Sequence, residues 1–235
     1  MPFIAQPRSI IPACDVGTLD ELVALVQATA DLDGIGAYKI DGPGSCVLRV
    51  GLDAAVAAVR DLTDKPLIYD HQKAGTDIPD LGTMFGNNVK EVAAAILFPF
   101  TGPETEEAWI KAVQDVGVVP IVGAEMTHKR FRASEGGYIN DEAFDRMLTL
   151  AAELGVRDFV VPGNKPDRVE YYHELLTSLC CDPIAFYAPG FVAQGGVISD
   201  AGKAAGEIFH AIVGRGIYAA DDMRAAAMEH CSAIA

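Results

Sequence analysis

Several features are scarce in this sequence, and each scarcity excludes a class of protein. Only five cysteines occur in 235 residues, and none has the Cys-x-x-Cys or Cys/His spacing of a zinc site. We therefore predict reduced thiols, no disulfide framework and no bound metal. No apolar run reaches the roughly 18–20 residues that span a bilayer, so the sequence is not typical of a membrane protein.

Basic residues are also scarce, with 18 lysines and arginines against 33 acidic residues and a net charge of −15. Such a charge repels nucleic acid and anionic membrane surfaces, so neither is an expected partner. A phosphorylated small substrate is compatible with it only where the site supplies local positive charge or backbone N–H groups. The first fifteen residues lack the basic and apolar regions of a signal peptide, and we expect a cytoplasmic protein.

What the sequence does contain is a regular alternation of short apolar runs and helical patterns. Half of the residues are hydrophobic and 22% are charged, as in an ordinary globular protein. The apolar runs predict eight strands, at residues 10–14, 36–40, 66–69, 94–98, 119–123, 158–161, 184–187 and 211–213. Apolar residues three and four apart predict helices at residues 19–30, 52–62, 104–116, 141–154, 169–179 and 201–209.

This alternation predicts an α/β fold, a (β/α)8 TIM barrel forming a single domain over residues 1–235. An open, doubly wound parallel sheet is the main alternative, because periodicity alone does not separate the two. The absence of a G-x-G-x-x-G motif after the first strand and of a Walker A motif disfavours it. Asp141 and Asp167 are expected to cap helix starts, and Gly117 and Gly155 to follow helix ends.

Charged side chains gather just past the predicted strand ends, on the face where barrels carry their active sites. Lys39, Asp70, Lys73 and Asp77 alternate in sign and, packed together, would hold one another ionised. A salt-bridge network without catalytic function is the alternative interpretation.

A second group of residues suits a phosphate. Arg215 lies between two glycines after the eighth predicted strand, and Gln194-Gly195-Gly196 follows the seventh. Glycines let the backbone approach a phosphate, and an arginine can bind one in a bidentate manner. A flexible connector with a solvated arginine would have the same sequence.

Several segments match one known family in number, order and placement. They are Pro12-Ala13-Cys14-Asp15, Tyr38-Lys39-Ile40, Asp77-Ile78-Pro79, Glu125-Met126-Thr127-His128, Phe159-Val160-Val161-Pro162, Pro189-Gly190 with Gln194-Gly195-Gly196, and Val213-Gly214-Arg215-Gly216-Ile217-Tyr218. Over nearly its whole length the chain resembles the orotidine 5'-phosphate decarboxylases. The resemblance implies a cofactor-independent carboxy-lyase of pyrimidine biosynthesis, which converts orotidine 5'-phosphate to uridine 5'-phosphate.

The resemblance also implies a role for each matching residue. Lys73 would stabilise a carbanion at C6 and protonate it, with Lys39, Asp70 and Asp77 as the other catalytic residues. The expected substrate-binding residues are Asp15 at the ribose, Thr127 at the pyrimidine, Pro189, Gln194 and Gly195 in a closing loop, and Gly214 and Arg215 at the phosphate. A homodimer is implied, in which Asp77 and Ile78 reach into the partner's site, where Ile78 would be a further substrate-binding residue.

The central motif departs from the family pattern Asp-x-Lys-x-x-Asp-Ile. Here two residues separate Asp70 from Lys73, and three separate Lys73 from Asp77. Two alternatives stay open: a metal-dependent sugar-phosphate lyase or epimerase similar to hexulose-phosphate synthase, and a nucleotide-binding barrel without activity.

Overall fold

The structure is a computed structural model of the chain. The structure describes residues 2–42, 44–74, 77–179, 183–192 and 195–234, and for residues 72–74 it describes the backbone alone.

Eight strands form one parallel sheet in the order β1-β8-β7-β6-β5-β4-β3-β2. They are β1 (Arg8–Pro12), β2 (Tyr38–Asp41), β3 (Leu67–Ala74), β4 (Ala94–Leu97), β5 (Val119–Gly123), β6 (Asp158–Val160), β7 (Ala185–Ala188) and β8 (Ile208–Val213). Parallel bridges Ile10–Ile35 and Ala13–Lys39 join β1 to the β2 side. The Cys14 N–H donates to the Lys39 carbonyl at 2.8 Å, so the sheet closes on itself as a barrel.

Helices alternate with these strands and cover the outside of the barrel. They are α1 (Leu19–Thr29), α2 (Val47–Val50), α3 (Leu52–Arg60), α4 (Gly82–Val89), α5 (Pro103–Asp115), α6 (Glu142–Glu153), α7 (Pro166–Ser178), α8 (Ile198–Ala204), α9 (Arg215–Tyr218) and α10 (Met223–Ile234). The predicted (β/α)8 barrel is thus confirmed, and the open doubly wound sheet is wrong for this chain.

Two groups of buried apolar side chains make up the core. The larger one lies between the strands and the helices and includes Leu22, Ile110 and Phe186. The smaller one includes Ile11 and Ile121 and fills the barrel interior. This division follows from strand geometry, because successive side chains point to opposite faces and both faces of a barrel strand are covered.

Helix ends follow the predicted glycine signals. Gly117 and Gly155 come two residues after the last residues of α5 and α6, with φ of 77° and 86°. These values lie in the left-handed region, where glycine has no steric penalty. Asp141 occupies the N-cap position of α6, but its side chain accepts hydrogen bonds from Ser134 and pairs with Arg132 instead of capping the helix.

Two sequence predictions about element boundaries are wrong. The helix expected at 201–209 is α8, which ends at Ala204, and the last part of that range belongs to β8. Gly206 has φ 83° and interrupts the helix, while Phe209 pairs with Arg8 of β1. Asp167 does not cap α7, because Pro166 starts this helix one residue earlier and Lys165 is the N-cap.

No helix in the described part of the chain is long and apolar enough to cross a membrane. Cys14, Cys46 and Cys231 are free thiols, as predicted for them. Cys180 and Cys181 lie outside the described residues.

Candidate active site

Three strand ends bring one ammonium and three carboxylates together. Lys39 of β2 places its Nζ 3.1 Å from Asp15 Oδ1, 3.2 Å from Asp70 Oδ2 and 3.5 Å from Asp41 Oδ2. Asp15 follows β1, Asp41 ends β2, and Asp70 lies on β3 directly opposite Asp41 in the strand register. We call these four residues the Lys39 cluster.

The Lys39 cluster is largely removed from water. The side chains of Lys39 and Asp41 are 6% and 1% exposed, and that of Asp70 is 13% exposed. Burial alone would lower the pKa of Lys39, but the carboxylates of Asp70, Asp15 and Asp41 outweigh it and hold this pKa above its usual value. Lys39 is therefore charged throughout the neutral range.

Asp15 is the most exposed carboxylate of the cluster, with a side chain 34% exposed. Burial raises its pKa, Lys39 opposes that change, and the negative charges of Asp41 and Asp70 add to it. Within the Lys39 cluster itself, three carboxyl groups surround one ammonium.

Asp41 was not among the residues predicted from the sequence. A usable signal existed, because residues two apart on a strand share a face and Lys39 and Asp41 are so spaced. The pattern could not show which strand-end carboxylates would reach Lys39, since that depends on the register of β1 and β3 beside β2.

One of the two extra residues of the central motif, the one between Asp70 and Lys73, falls in an irregularity of β3. Asp70 is aligned with Ile96 of β4 and Ala74 with Leu97, so three residues of β3 have no counterpart on the neighbouring strand. Such a bulge accommodates extra residues without breaking the sheet. Lys73 lies within it, but its side chain is outside the described part of the structure.

Asp77 and Ile78 lie apart from the Lys39 cluster. The Asp77 carbonyl accepts hydrogen bonds from Thr101 and Thr105, at 3.2 and 2.9 Å, and the Ile78 carbonyl accepts one from Trp109 at 3.0 Å. Both side chains are exposed, that of Ile78 by 58%. No ion pair joins Asp77 to Lys39 among the described residues, and the side chain of Lys73, the other lysine of the expected set, lies outside them.

A cavity of about 260 Å³ opens beside the Lys39 cluster. Seven of the residues predicted from the sequence line it: Asp15, Lys39, Asp70, Thr127, Pro189, Gly214 and Arg215. A smaller cavity of about 70 Å³ shares Lys39, Asp70 and Thr127 and is otherwise lined mainly by apolar side chains such as Ile96 and Val160. The site therefore combines the charged side chains of Lys39, Asp15 and Asp70 with the apolar side chains of the smaller cavity.

The loops after β7 and β8 border this cavity together. A β-carbon at Gly216 would lie 3.0 Å from His230 Nε2 and 3.3 Å from Val192 Cγ2, so glycine permits close approach there. One at Gly214 would meet only ordinary contacts, the nearest at 3.4 Å from Tyr218. Arg215 is exposed, and its guanidinium has no hydrogen bond or ion pair with another described side chain. It is thus available to an anion. Gly195 is described at φ 81°, whereas Gln194 lies outside the described residues.

A buried hydrogen-bonded network supports the end of β5. Glu125 accepts from Lys165 Nζ at 2.9 Å, Arg168 Nε at 3.0 Å and Tyr172 Oη at 2.6 Å. Burial would raise the pKa of Glu125, but these donors outweigh it and the pKa lies below its ordinary value. The Thr127 carbonyl accepts from Asn164 Nδ2 at 3.0 Å, which ties the end of β5 to the loop before α7.

The carboxyl groups of the Lys39 cluster surround an ammonium group. No group of three His, Cys, Asp or Glu side chains suited to a metal ion is found among the described residues. The physical reason is that the Lys39 ammonium occupies the position between Asp15, Asp41 and Asp70. The arrangement can instead hold charges fixed around a small anionic substrate, with Arg215 lining the same cavity.

The chain is similar to curated proteins over nearly its whole length. It is 31% identical over 222 residues to the orotidine 5'-phosphate decarboxylase of Pyrococcus abyssi, covering 94% of this chain and 96% of that protein. It is 30% identical over 224 residues to the enzyme of the same name from Thermococcus kodakarensis, covering 94% of each chain. A scan against models of protein families gave no match.

A solved structure has the same fold. The orotidine 5'-monophosphate decarboxylase of Methanocaldococcus jannaschii, in complex with the inhibitor BMP, superposes with a TM-score of 0.82 at 24% identity. The match covers 97% of this chain and 98% of that one.

Proposed function

This chain belongs to the orotidine 5'-phosphate decarboxylase family, and we propose that it removes CO2 from orotidine 5'-phosphate to give uridine 5'-phosphate in pyrimidine biosynthesis. The observation that carries the proposal is that Lys39, Asp15 and Asp70 line the same cavity as Arg215. This combination suits a substrate with a reacting anionic ring at one end and a phosphate at the other.

Loss of CO2 from C6 would leave a carbanion on the pyrimidine ring. We propose that Lys73 stabilises this charge and then donates the proton to C6, since an ammonium serves both purposes. Asp70 would lie near the departing carboxylate. Lys39 lies 3.2 Å from Asp70 and would hold the Asp70 carboxylate in place. Asp77 would help to orient Lys73. No cofactor takes part in this scheme.

The remaining residues would bind the parts of the nucleotide that do not react. Asp15 would accept a hydrogen bond from the ribose, and Thr127 would contact the pyrimidine. Arg215 and the backbone at Gly214 would hold the phosphate, with Pro189, Gln194 and Gly195 in the loop that closes over it. Binding energy from the phosphate can then be used to organise the site around the reacting ring.

Arg215→Ala is expected to raise KM for orotidine 5'-phosphate by about 10- to 100-fold, because charge-assisted hydrogen bonds to the phosphate are lost. The fold should be unaffected, since this side chain is exposed. Steady-state kinetics would measure the effect, with Arg49→Ala, an exposed arginine of α2, as the matched control. An unchanged KM would show that Arg215 does not bind the phosphate.

The proposed activity is tested by following the absorbance of orotidine 5'-phosphate with the purified protein, with and without EDTA. We expect conversion to uridine 5'-phosphate at the same rate in both. Conversion that EDTA abolishes would contradict the cofactor-independent mechanism. Nucleotide binding without turnover would indicate a barrel without this activity, and turnover of a sugar phosphate with a divalent metal would indicate the lyase alternative.

We also propose a homodimer in which Asp77 and Ile78 complete the partner's site. Two observations support it: the Ile78 side chain is 58% exposed, and the Asp77 and Ile78 carbonyls are bound to α5 and the residues before it, away from Lys39. A cytoplasmic location remains a prediction.

Mixing two inactive variants tests this arrangement. In a dimer of Lys73→Ala with Asp77→Asn, one site would combine an intact Lys73 with the intact Asp77 of the other subunit. Random exchange of subunits should therefore restore about a quarter of the sites, because half of the dimers are mixed and each has one complete site. If Asp77 acted in its own subunit, both sites of a mixed dimer would lack a residue and mixing would restore no activity.

A further inference from the structure

Asp41 is a buried carboxylate for which the mechanism above has no use. Its side chain is 1% exposed, its Oδ2 lies 3.5 Å from Lys39 Nζ, and its Oδ1 accepts the Gly44 N–H at 2.8 Å. Burying an ionised group is costly unless it is paired and hydrogen-bonded, and Asp41 satisfies both conditions. Asp15 and Asp70 line the cavity, whereas Asp41 lies behind Lys39 and does not.

The number of hydrogen bonds that Lys39 can donate suggests a role for Asp41. A lysine ammonium has three N–H donors, and Lys39 is bonded to three carboxylates, at 3.1, 3.2 and 3.5 Å. Two of them, Asp15 and Asp70, face the cavity. With the third N–H directed to Asp41, the ammonium has no donor left to turn towards a ligand.

We propose that Asp41 is a positioning residue for the decarboxylation: by taking the third N–H of Lys39, it fixes this lysine so that Lys39 in turn holds Asp15 and Asp70 in their reactive orientations. The inference rests on the proposed function. It adds a residue to the site without adding a contact with the substrate.

Asp41 also acts on Asp15 through charge. Asp15 is faced by Lys39 and Asp41 from β2, by Asp70 from β3 and by Tyr218 from α9, with Arg215 on the same cavity. The negative charge of Asp41 contributes to raising the pKa of Asp15. Removing that charge therefore lowers the pKa of Asp15, and Asp15 stays ionised to a lower pH.

Asp41→Asn removes the negative charge but keeps the size of the side chain, and the amide oxygen can still accept the Gly44 N–H. We expect kcat to fall on the order of tenfold, as for loss of a charge-assisted hydrogen bond, with a smaller rise in KM, because Asp41 acts on the substrate only through Lys39 and its partners. The acid limb of the kcat/KM profile should move to lower pH. Asp64→Asn, an exposed aspartate after α3, is the control and should leave kcat and the profile unchanged.

The shift of the acid limb distinguishes positioning from a general structural role. A purely structural Asp41 would lower kcat and the thermal midpoint together and leave the acid limb in place, which would overturn the proposal, as would a kcat equal to wild type. If the asparagine variant does not fold, Asp41→Ser provides the same comparison, since its hydroxyl can also accept from Gly44. An inactive wild-type protein would refute the proposed function. If the wild type is active and the Asp41 variant has the same kcat and pH profile, only this inference is refuted.

Discussion

Replacing Lys73 with alanine is expected to lower kcat by at least about 10³-fold while leaving the affinity for uridine 5'-phosphate nearly intact. Two contributions would be lost together, the electrostatic stabilisation of the carbanion and the donation of the proton. The substrate phosphate and ribose would still be bound by Arg215 and Asp15. Steady-state turnover and calorimetric titration with the product nucleotide would measure the two effects separately.

The control for this prediction is Lys90→Ala, which removes an exposed lysine at the end of α4. Its turnover should equal that of the wild type. Near-normal turnover of the Lys73 variant would show that the bulge in β3 carries this lysine away from C6, and the proton donor would have to be sought elsewhere. A parallel loss of nucleotide affinity would indicate that Lys73 binds the ground state rather than the transition state.

Replacing Lys39 with methionine is expected to lower the free energy of unfolding by about 3–5 kcal/mol at neutral pH and to abolish turnover. Removing one partner of a buried ion pair leaves the other charge uncompensated. Here three carboxylates lose their common cation, and that of Asp41 is 1% exposed. Methionine has a similar length and no charge, so the cavity left behind is small. Urea unfolding would measure the loss.

The sign of the pH dependence follows from the direction of each pKa. Because the pKa of Lys39 is raised in the folded protein, its stabilising contribution is fully present below its ordinary pKa and is lost only in strongly alkaline solution. In the variant Asp15 loses the opposing charge of Lys39, so its pKa rises further and its carboxylate binds a proton more readily as the pH falls. The difference between wild type and variant should therefore shrink as the pH is lowered from neutrality.

Lys90→Met is the control for the stability measurement and should change the free energy of unfolding by less than about 0.5 kcal/mol, as surface substitutions usually do. A loss below about 1 kcal/mol for the Lys39 variant, or a difference that stays constant with pH, would contradict the account of the Lys39 cluster as a coupled set of charges.

Periodicity was sufficient to predict the eight strands and six of the helices, because strands buried on both faces have continuous apolar runs and covering helices have one apolar stripe. It did not predict α2, α4, α9 or α10. It failed at the boundary between α8 and β8. Phe209 is spaced like a helical core residue, yet it belongs to a strand. Short apolar runs suit either structure, and pairing with neighbouring strands decides between them.

The site shows the same division. The sequence by itself determined which residue types would lie at the carboxyl ends of the strands, and seven of them line one cavity. Only the tertiary structure decided which carboxylates surround Lys39, because Asp15 and Asp70 reach it through barrel closure and the register of β2 with β3. It also decided that Asp77 lies away from Lys39 in its own chain, since hydrogen bonds with Thr101 and Thr105 hold its backbone beside α5. Local patterns set the chemistry of each strand end, whereas distances between strand ends arise only when the barrel closes.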